Sequence, residues 1–130
     1  MQPVQFLSVD VVIDIHSRVI DEFGGDHGLR DRGLLESAVA MPQSTFGGEF
    51  LHQSIGAKAA AYHFHLCSNH AFIDGNKRVA VAASEVFLLV NGLELAASDD
   101  EVEEMTLGVA NGRLSKQQVV DFFARHIIEA

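Results

Sequence analysis

The sequence predicts an all-α domain: about six helices packed around one buried helix. Three observations carry that expectation. Apolar residues recur at helical spacing through most of the chain. Capping residues and glycines punctuate those stretches at short intervals. One stretch, Val79 to Val90, is apolar almost all round, and such a helix belongs at the centre of a fold, covered on several sides.

The first helix spans about Ser8 to Phe23, with Val9, Ile13, His16, Val19, Ile20 and Phe23 on one face. Ser8 is its expected N-cap and Gly24-Gly25 its stop. Asp31 caps a second, short helix carrying Leu34, Leu35, Ala38 and Val39. Pro42 should end that helix by pushing residue 41 out of the helical region. A third helix runs from about Gln53 to Ser68, with Ile55, Ala59, Tyr62 and Leu66 along a stripe. The fourth begins near Asn76 and closes at Asn91-Gly92 in a left-handed cap. The fifth opens with a capping box of Ser98 and Glu101. Asp99, Asp100, Glu101, Glu103 and Glu104 crowd its first turns, where the helix dipole favours negative charge. It ends at Asn111-Gly112. The sixth starts at Ser115 with Gln118 in the box position and carries Val119, Val120, Phe123, Ile127 and Ile128. Six helices with short connections make an all-α domain. Residues 43–50 break the pattern. Gly47-Gly48 between Phe46 and Phe50 fits a tight β-hairpin flap and an irregular loop equally well.

A chain of 130 residues suits one domain, 1–130, and no repeat, low-complexity tract or Pro/Ser-rich linker divides it. The formal net charge of −9 argues against direct binding to nucleic acid, since phosphates are repelled at long range. Seven histidines would cancel most of that charge if protonated, so the acidity holds at neutral pH only. The single cysteine, Cys67, allows no intrachain disulfide, which makes the cytoplasm the default compartment. Met1 to Val12 lacks a basic region followed by a long apolar run, so no signal peptide is expected. Val79 to Val90 contains Ser84 and Glu85 and is too short to span a bilayer, so no membrane association is expected.

The chemistry concentrates between the third and fourth helices, in Asn69-His-Ala-Phe-Ile-Asp-Gly-Asn-Lys-Arg78. The first backbone N–H groups of the fourth helix have no internal partner and point, with the positive end of the helix dipole, at this loop. Gly75 lets the backbone turn and approach a ligand closely. Lys77 and Arg78 oppose the dipole on the first turn, and a bound polyphosphate explains cations placed there. Asp74 suits an anion site when a divalent cation bridges it to phosphates, as Mg²⁺ does. Phe72 reads as an anchor that buries the loop. His70, a histidine beside a phosphate site, is a candidate general base for a hydroxyl nucleophile. Taken singly, each of these residues has an ordinary explanation: a core histidine, a cap, a turn glycine, a solvated basic face. All of those explanations would have to hold together within nine residues.

His70-Ala-Phe72-Ile-Asp74-Gly75-Asn76-Lys77-Arg78 resembles the signature loop of the Fic/Doc superfamily, and in particular its Doc (death-on-curing) branch. Gly28-Leu-Arg-Asp-Arg-Gly-Leu-Leu-Glu-Ser-Ala38, Pro42-Gln43 and Thr45-Phe46-Gly47-Gly48 are similar to that family as well. The likeness runs from about residue 5 to 128. It implies an all-α core of about six helices with a β-hairpin flap, which favours the flap for 43–50. It also implies roles. His70 would be the base, Asp74 would hold Mg²⁺, and Asn76, Lys77, Arg78 and the backbone at Gly75 would hold the phosphates of ATP. Nucleotide-transferring Fic members have glycine where Lys77 stands. Lysine there goes with transfer of the γ-phosphoryl group to a Ser or Thr of a target, with elongation factor Tu as the target in Doc-like toxins. The resemblance further implies a type II toxin–antitoxin system, with a Phd-type antitoxin that binds in trans through a C-terminal helix and carries the DNA contact. Fic-type nucleotidyl transfer (AMP addition) and a non-catalytic, binding-only member are the alternatives.

Two other patterns lie outside this loop. His63 and Cys67 lie one helical turn apart, with His65 nearby, as the start of a zinc site would require; no acidic or thiol partner is apparent, and Cys67 reads as a small buried apolar residue. Thr45-Phe-Gly-Gly-Glu49-Phe50 is the nearest match to the Ser/Thr-x-x-x-Glu-Gly/Asn inhibitory helix of some Fic proteins, but it lacks the last residue and lies in the flap. His16, His27, His52 and His126 fall into no pattern.

Overall fold

The computed structural model describes residues 3–130; the first two positions of the expected 1–130 domain lie outside it. Among the described residues, six helices follow in order: α1 (Val9–Phe23), α2 (Arg32–Ala40), α3 (Ile55–Asn69), α4 (Asn76–Val90), α5 (Asp99–Ala110) and α6 (Lys116–His126). Two small antiparallel pairs accompany them. Strands β1 (Thr45–Phe46) and β2 (Glu49–Phe50) form the flap, with Thr45 opposite Phe50 and Phe46 opposite Glu49. Strands β3 (Leu93–Leu95) and β4 (Ile127–Glu129) form the second pair.

Side-chain caps set the helix starts. The Ser8 hydroxyl accepts the Val11 N–H, and the Asp31 carboxylate accepts the Leu34 N–H. Ser98 with Glu101, and Ser115 with Gln118, close complete capping boxes. The third helix is capped by Ser54 and so starts just after the expected Gln53.

Three expectations need correction. Met41 is not displaced by Pro42: it stays helical at φ −56° and ψ −44°, and the chain tightens into a 3₁₀ turn over Met41–Gln43. Pro42 sits at the start of that turn, where a missing N–H costs nothing. The sixth helix stops at His126, so Ile127 and Ile128 are strand residues rather than helical ones. Ile128 pairs with Glu94, and the Ala96 N–H donates to the His126 carbonyl. Phe23 does not join the buried face of α1: it is 54% exposed, with the Arg78 guanidinium 4.1 Å from its ring centroid.

Helix α4 is the centre. Val79, Ala80, Ala83, Phe87 and Leu88 are buried against α1, α3 and α5. Ala59, Ala60 and Ala61 on α3 are fully buried, and their small side chains let the α3 and α4 backbones come close. The Phe87 ring lies 4.9 Å from that of Tyr62, whose hydroxyl accepts the Leu7 N–H at 2.9 Å. Lys58 is buried at the start of α3. Its ammonium donates to the carbonyls of His52 and Gln53 and sits 4.3 Å from the Phe50 ring centroid. A buried ammonium must be satisfied on all sides. Here its partners all belong to the return leg of the flap, which is thereby fastened to the core.

Candidate active site

The loop between α3 and α4 is built by the ends of both helices. Helix α3 ends at His70 in the left-handed conformation, φ 52° and ψ 47°, the one non-glycine residue with positive φ among those described. That turn breaks the helix and leaves the His70 side chain exposed. Ala71 and Phe72 then plunge into the core, at 1% and 2% exposure, so Phe72 is the anchor the sequence suggested. Asn76 closes the turn from the far side. Its side-chain oxygen accepts the Phe72 N–H and its amide donates to the Phe72 carbonyl, at 3.1 and 2.9 Å. The Asn76 side chain therefore shapes the loop, and what it offers a phosphate is its backbone N–H.

Gly75 precedes α4 at φ +74°, where a Cβ would lie 2.9 Å from Ile20 Cδ1. No side chain caps α4. The N–H groups of Asn76, Lys77 and Arg78 therefore face outward without an intrahelical partner, flanked by the exposed Lys77 and Arg78 side chains. The positive end of the helix dipole adjoins Asp74, and Lys77 and Arg78 follow on the first turn, with the Arg78 guanidinium over the Phe23 ring.

Asp74 is exposed. One carboxylate oxygen accepts the Gly75 N–H at 2.9 Å and the other accepts the Asp26 N–H at 3.3 Å. Each oxygen keeps a further lone pair. One oriented carboxylate with free lone pairs beside a helix N-terminus fits Mg²⁺, which takes few protein ligands and completes its shell with phosphate oxygens and water.

Sequence reasoning missed the second wall of the site. Residues 28–31 run antiparallel to 71–73. The Ile73 N–H donates to the Gly28 carbonyl at 2.9 Å, and the Arg30 N–H donates to the Ala71 carbonyl at 2.8 Å. The Arg30 side chain donates from Nε to the His70 carbonyl at 2.8 Å, placing another guanidinium beside His70. His16, on α1, reaches the loop as well. Its Nε2 is 2.7 Å from the Asp74 carbonyl and its ring is stacked on Phe72. The available signal was a histidine on an otherwise apolar helix face.

Gly25 completes the cradle. At φ +120°, a Cβ there would come within 2.6 Å of the Asp74 carboxylate. Gly24, at φ +89°, has open space around it. Both alanine substitutions bear a conformational cost of about 1–3 kcal/mol; only Gly25→Ala also presses on Asp74 and on Ile20 Cδ1, at 3.1 Å. Gly25→Ala is therefore expected to lower Tm by several degrees more than Gly24→Ala, and paired thermal melts check this. Equal losses would show that the Asp74 and Ile20 side chains give way to the added Cβ without cost.

The zinc pattern resolves differently. His63 Nε2 lies 2.9 Å from the Thr106 hydroxyl, and the Cys67 thiol faces the Thr106 carbonyl. Burial pushes the Cys67 thiol up. Among the described residues, no three His, Cys, Asp or Glu side chains are grouped to hold a metal. Beside the loop, α1, α4 and α5 enclose a groove of about 450 Å³, with Val19, Phe23, Val102 and Leu107 along it and Arg78 and Glu85 among its polar groups. Burial, then Asp99, raises the Glu85 carboxyl above its ordinary range.

A family model described as the Fic/DOC family matches residues 6–88, more than half of the chain. The chain belongs to the Fic/DOC family. Two relatives carry Doc names. It is 50% identical over 78 residues to "Toxin Doc" of Mycolicibacterium smegmatis (strain ATCC 700084 / mc(2)155), a match covering 60% of each chain. It is 29% identical over 119 residues to "Protein kinase doc" of Escherichia phage P1, covering 92% of this chain and 93% of that one. The six helices and the flap at Thr45, Phe46, Gly47 and Gly48 are the Fic/DOC architecture that the resemblance implied. No helix among the described residues is long and apolar enough to cross a membrane.

Proposed function

We propose that this chain is the toxin of a type II toxin–antitoxin pair and a protein serine/threonine kinase. It transfers the γ-phosphoryl group of ATP to a translation elongation factor, elongation factor Tu by resemblance, and so blocks translation in the cytoplasm. One observation carries the reading: the loop and first turn at the uncapped N-terminus of the central helix carry an exposed imidazole, an oriented carboxylate and two exposed cations. The kinase name of the full-length relative supports it.

In this reading the N–H groups of Asn76, Lys77 and Arg78, with the Lys77 and Arg78 side chains, hold the triphosphate and stabilise the charge that develops on it. Mg²⁺, held by Asp74, would supply charge neutralisation and phosphate orientation. His70 orients the Ser or Thr hydroxyl and takes its proton. The hydroxyl oxygen bonds to the γ-phosphorus as the bond to the bridging oxygen breaks, and ADP leaves. Phe72, Asn76 and Arg30 keep this constellation in place.

The partner is a Phd-type antitoxin. Its C-terminal segment, folding as an amphipathic helix, finds a seat in the groove between α1, α4 and α5. Nucleic-acid contact belongs to that partner, in keeping with the net charge of −9.

Labelled ATP tests the reaction. Incubation with elongation factor Tu is expected to place the γ-label, and not the α-label, on the target. Transfer of the α-label would make the chain a nucleotidyltransferase, and transfer of neither, with tight binding of the target, would make it a binding-only member.

A further inference from the structure

We infer that His16 is a positioning residue for Asp74, fixing the direction of the carboxylate through the backbone rather than touching the reacting groups. The inference rests on the proposed role of Asp74 in holding the metal.

His16 lies on α1, 58 residues from Asp74, and is 1% exposed. Its ring stacks on Phe72 at a centroid distance of 3.7 Å and an interplanar angle of 8°. A carbonyl only accepts, so Nε2 carries the proton donated to the Asp74 carbonyl at 2.7 Å. That carbonyl belongs to the peptide joining Asp74 to Gly75, so holding it fixes the plane of the peptide that enters the left-handed turn. The Gly75 N–H, in the same peptide plane, donates to the Asp74 carboxylate. One imidazole thus sets a peptide plane, and that plane sets a carboxylate oxygen. A Cβ at Gly75 would meet Ile20 Cδ1, one turn further along α1, at 2.9 Å and the His16 ring at 3.5 Å, so α1 leaves room for nothing larger than glycine at this turn.

The stack on Phe72 and the bond to Asp74 do different jobs. The stack buries the first half of the loop, whereas the bond orients the second half, from which the metal-bearing carboxylate projects. Two substitutions separate them. His16→Phe keeps an aromatic ring on Phe72 and removes the donor. His16→Gln loses the ring but can place an amide N–H where Nε2–H stands. Groups that orient a metal ligand typically contribute tenfold to a hundredfold to metal affinity.

The experiment titrates Mn²⁺ with a non-hydrolysable ATP analogue into the full chain by calorimetry. Amide exchange at Gly75 and Asp26 is read in parallel. For His16→Phe, about tenfold weaker Mn²⁺ affinity and faster Gly75 exchange are expected, with helical content unchanged. For His16→Gln, affinity within about threefold of the parent is expected. A folded His16→Phe protein with parental Mn²⁺ affinity overturns the inference, as do equal losses in both variants, which would leave His16 a packing residue. Failure of the parent chain to bind Mn²⁺ with the nucleotide overturns the proposed function itself, a separate outcome.

Discussion

Replacing His70 by Ala is expected to lower the proposed phosphoryl transfer by about 10²–10⁴-fold, the usual contribution of a positioned general base, and to leave the proposed nucleotide binding intact. The fold should survive because the His70 side chain is exposed and supports nothing in the core. Its backbone is a separate matter. His70 adopts φ 52°, a conformation that Asn and His tolerate better than Ala. His70→Asn therefore removes the imidazole with less backbone cost. The two variants should lose activity equally while His70→Asn melts at the higher temperature. Activity assays with γ-labelled ATP and thermal melts together test this. Turnover at the parental rate in either variant would show that His70 is not the base.

Much of this site was legible because its signals are local. A cap is one side chain bonded within its own turn, so Ser8, Asp31, Ser98 and Ser115 could be read directly. The motif from His70 to Arg78 is contiguous, and its residue types imply a phosphate cradle before any fold is known. What escaped is what depends on partners distant in the chain. Ile127 and Ile128 continue the helical period of α6, yet they leave it to pair with Leu93–Leu95, since two short strands closing an edge outweigh one more helical turn. Phe23 has the right spacing for the core but covers Arg78 instead. His16 and Gly25 lie beside Asp74 across 58 and 49 positions of sequence, and nothing in α1 alone announces that its histidine faces a carbonyl.

Acid should unfold this protein through His63. Its ring is fully buried between α3 and α5. The Thr106 hydroxyl donates to the Val102 carbonyl at 2.8 Å, so it accepts from His63, whose Nε2 carries the proton. Nδ1 has no partner, and charging the ring would bury an uncompensated proton there. Burial accordingly holds the His63 pKa down to about 4. In the unfolded chain it returns to about 6.5. As pH falls, the unfolded chain takes up the proton first. The fold is thus undisturbed by His63 above about pH 6.5 and loses stability progressively between about 6.5 and 4. The loss from this residue amounts to about 3 kcal/mol at the bottom of that window, a large share of a small domain's stability. His65, held down to about 4 by burial and then by Lys116 and His52, acts in the same direction, but its partial exposure to solvent screens the effect. His63→Gln keeps an N–H for Thr106 and removes the titration. Its urea midpoint should fall much less than the parent's between pH 6.5 and 4. Parallel acid losses in the two proteins would mean that protons taken up elsewhere unfold the chain.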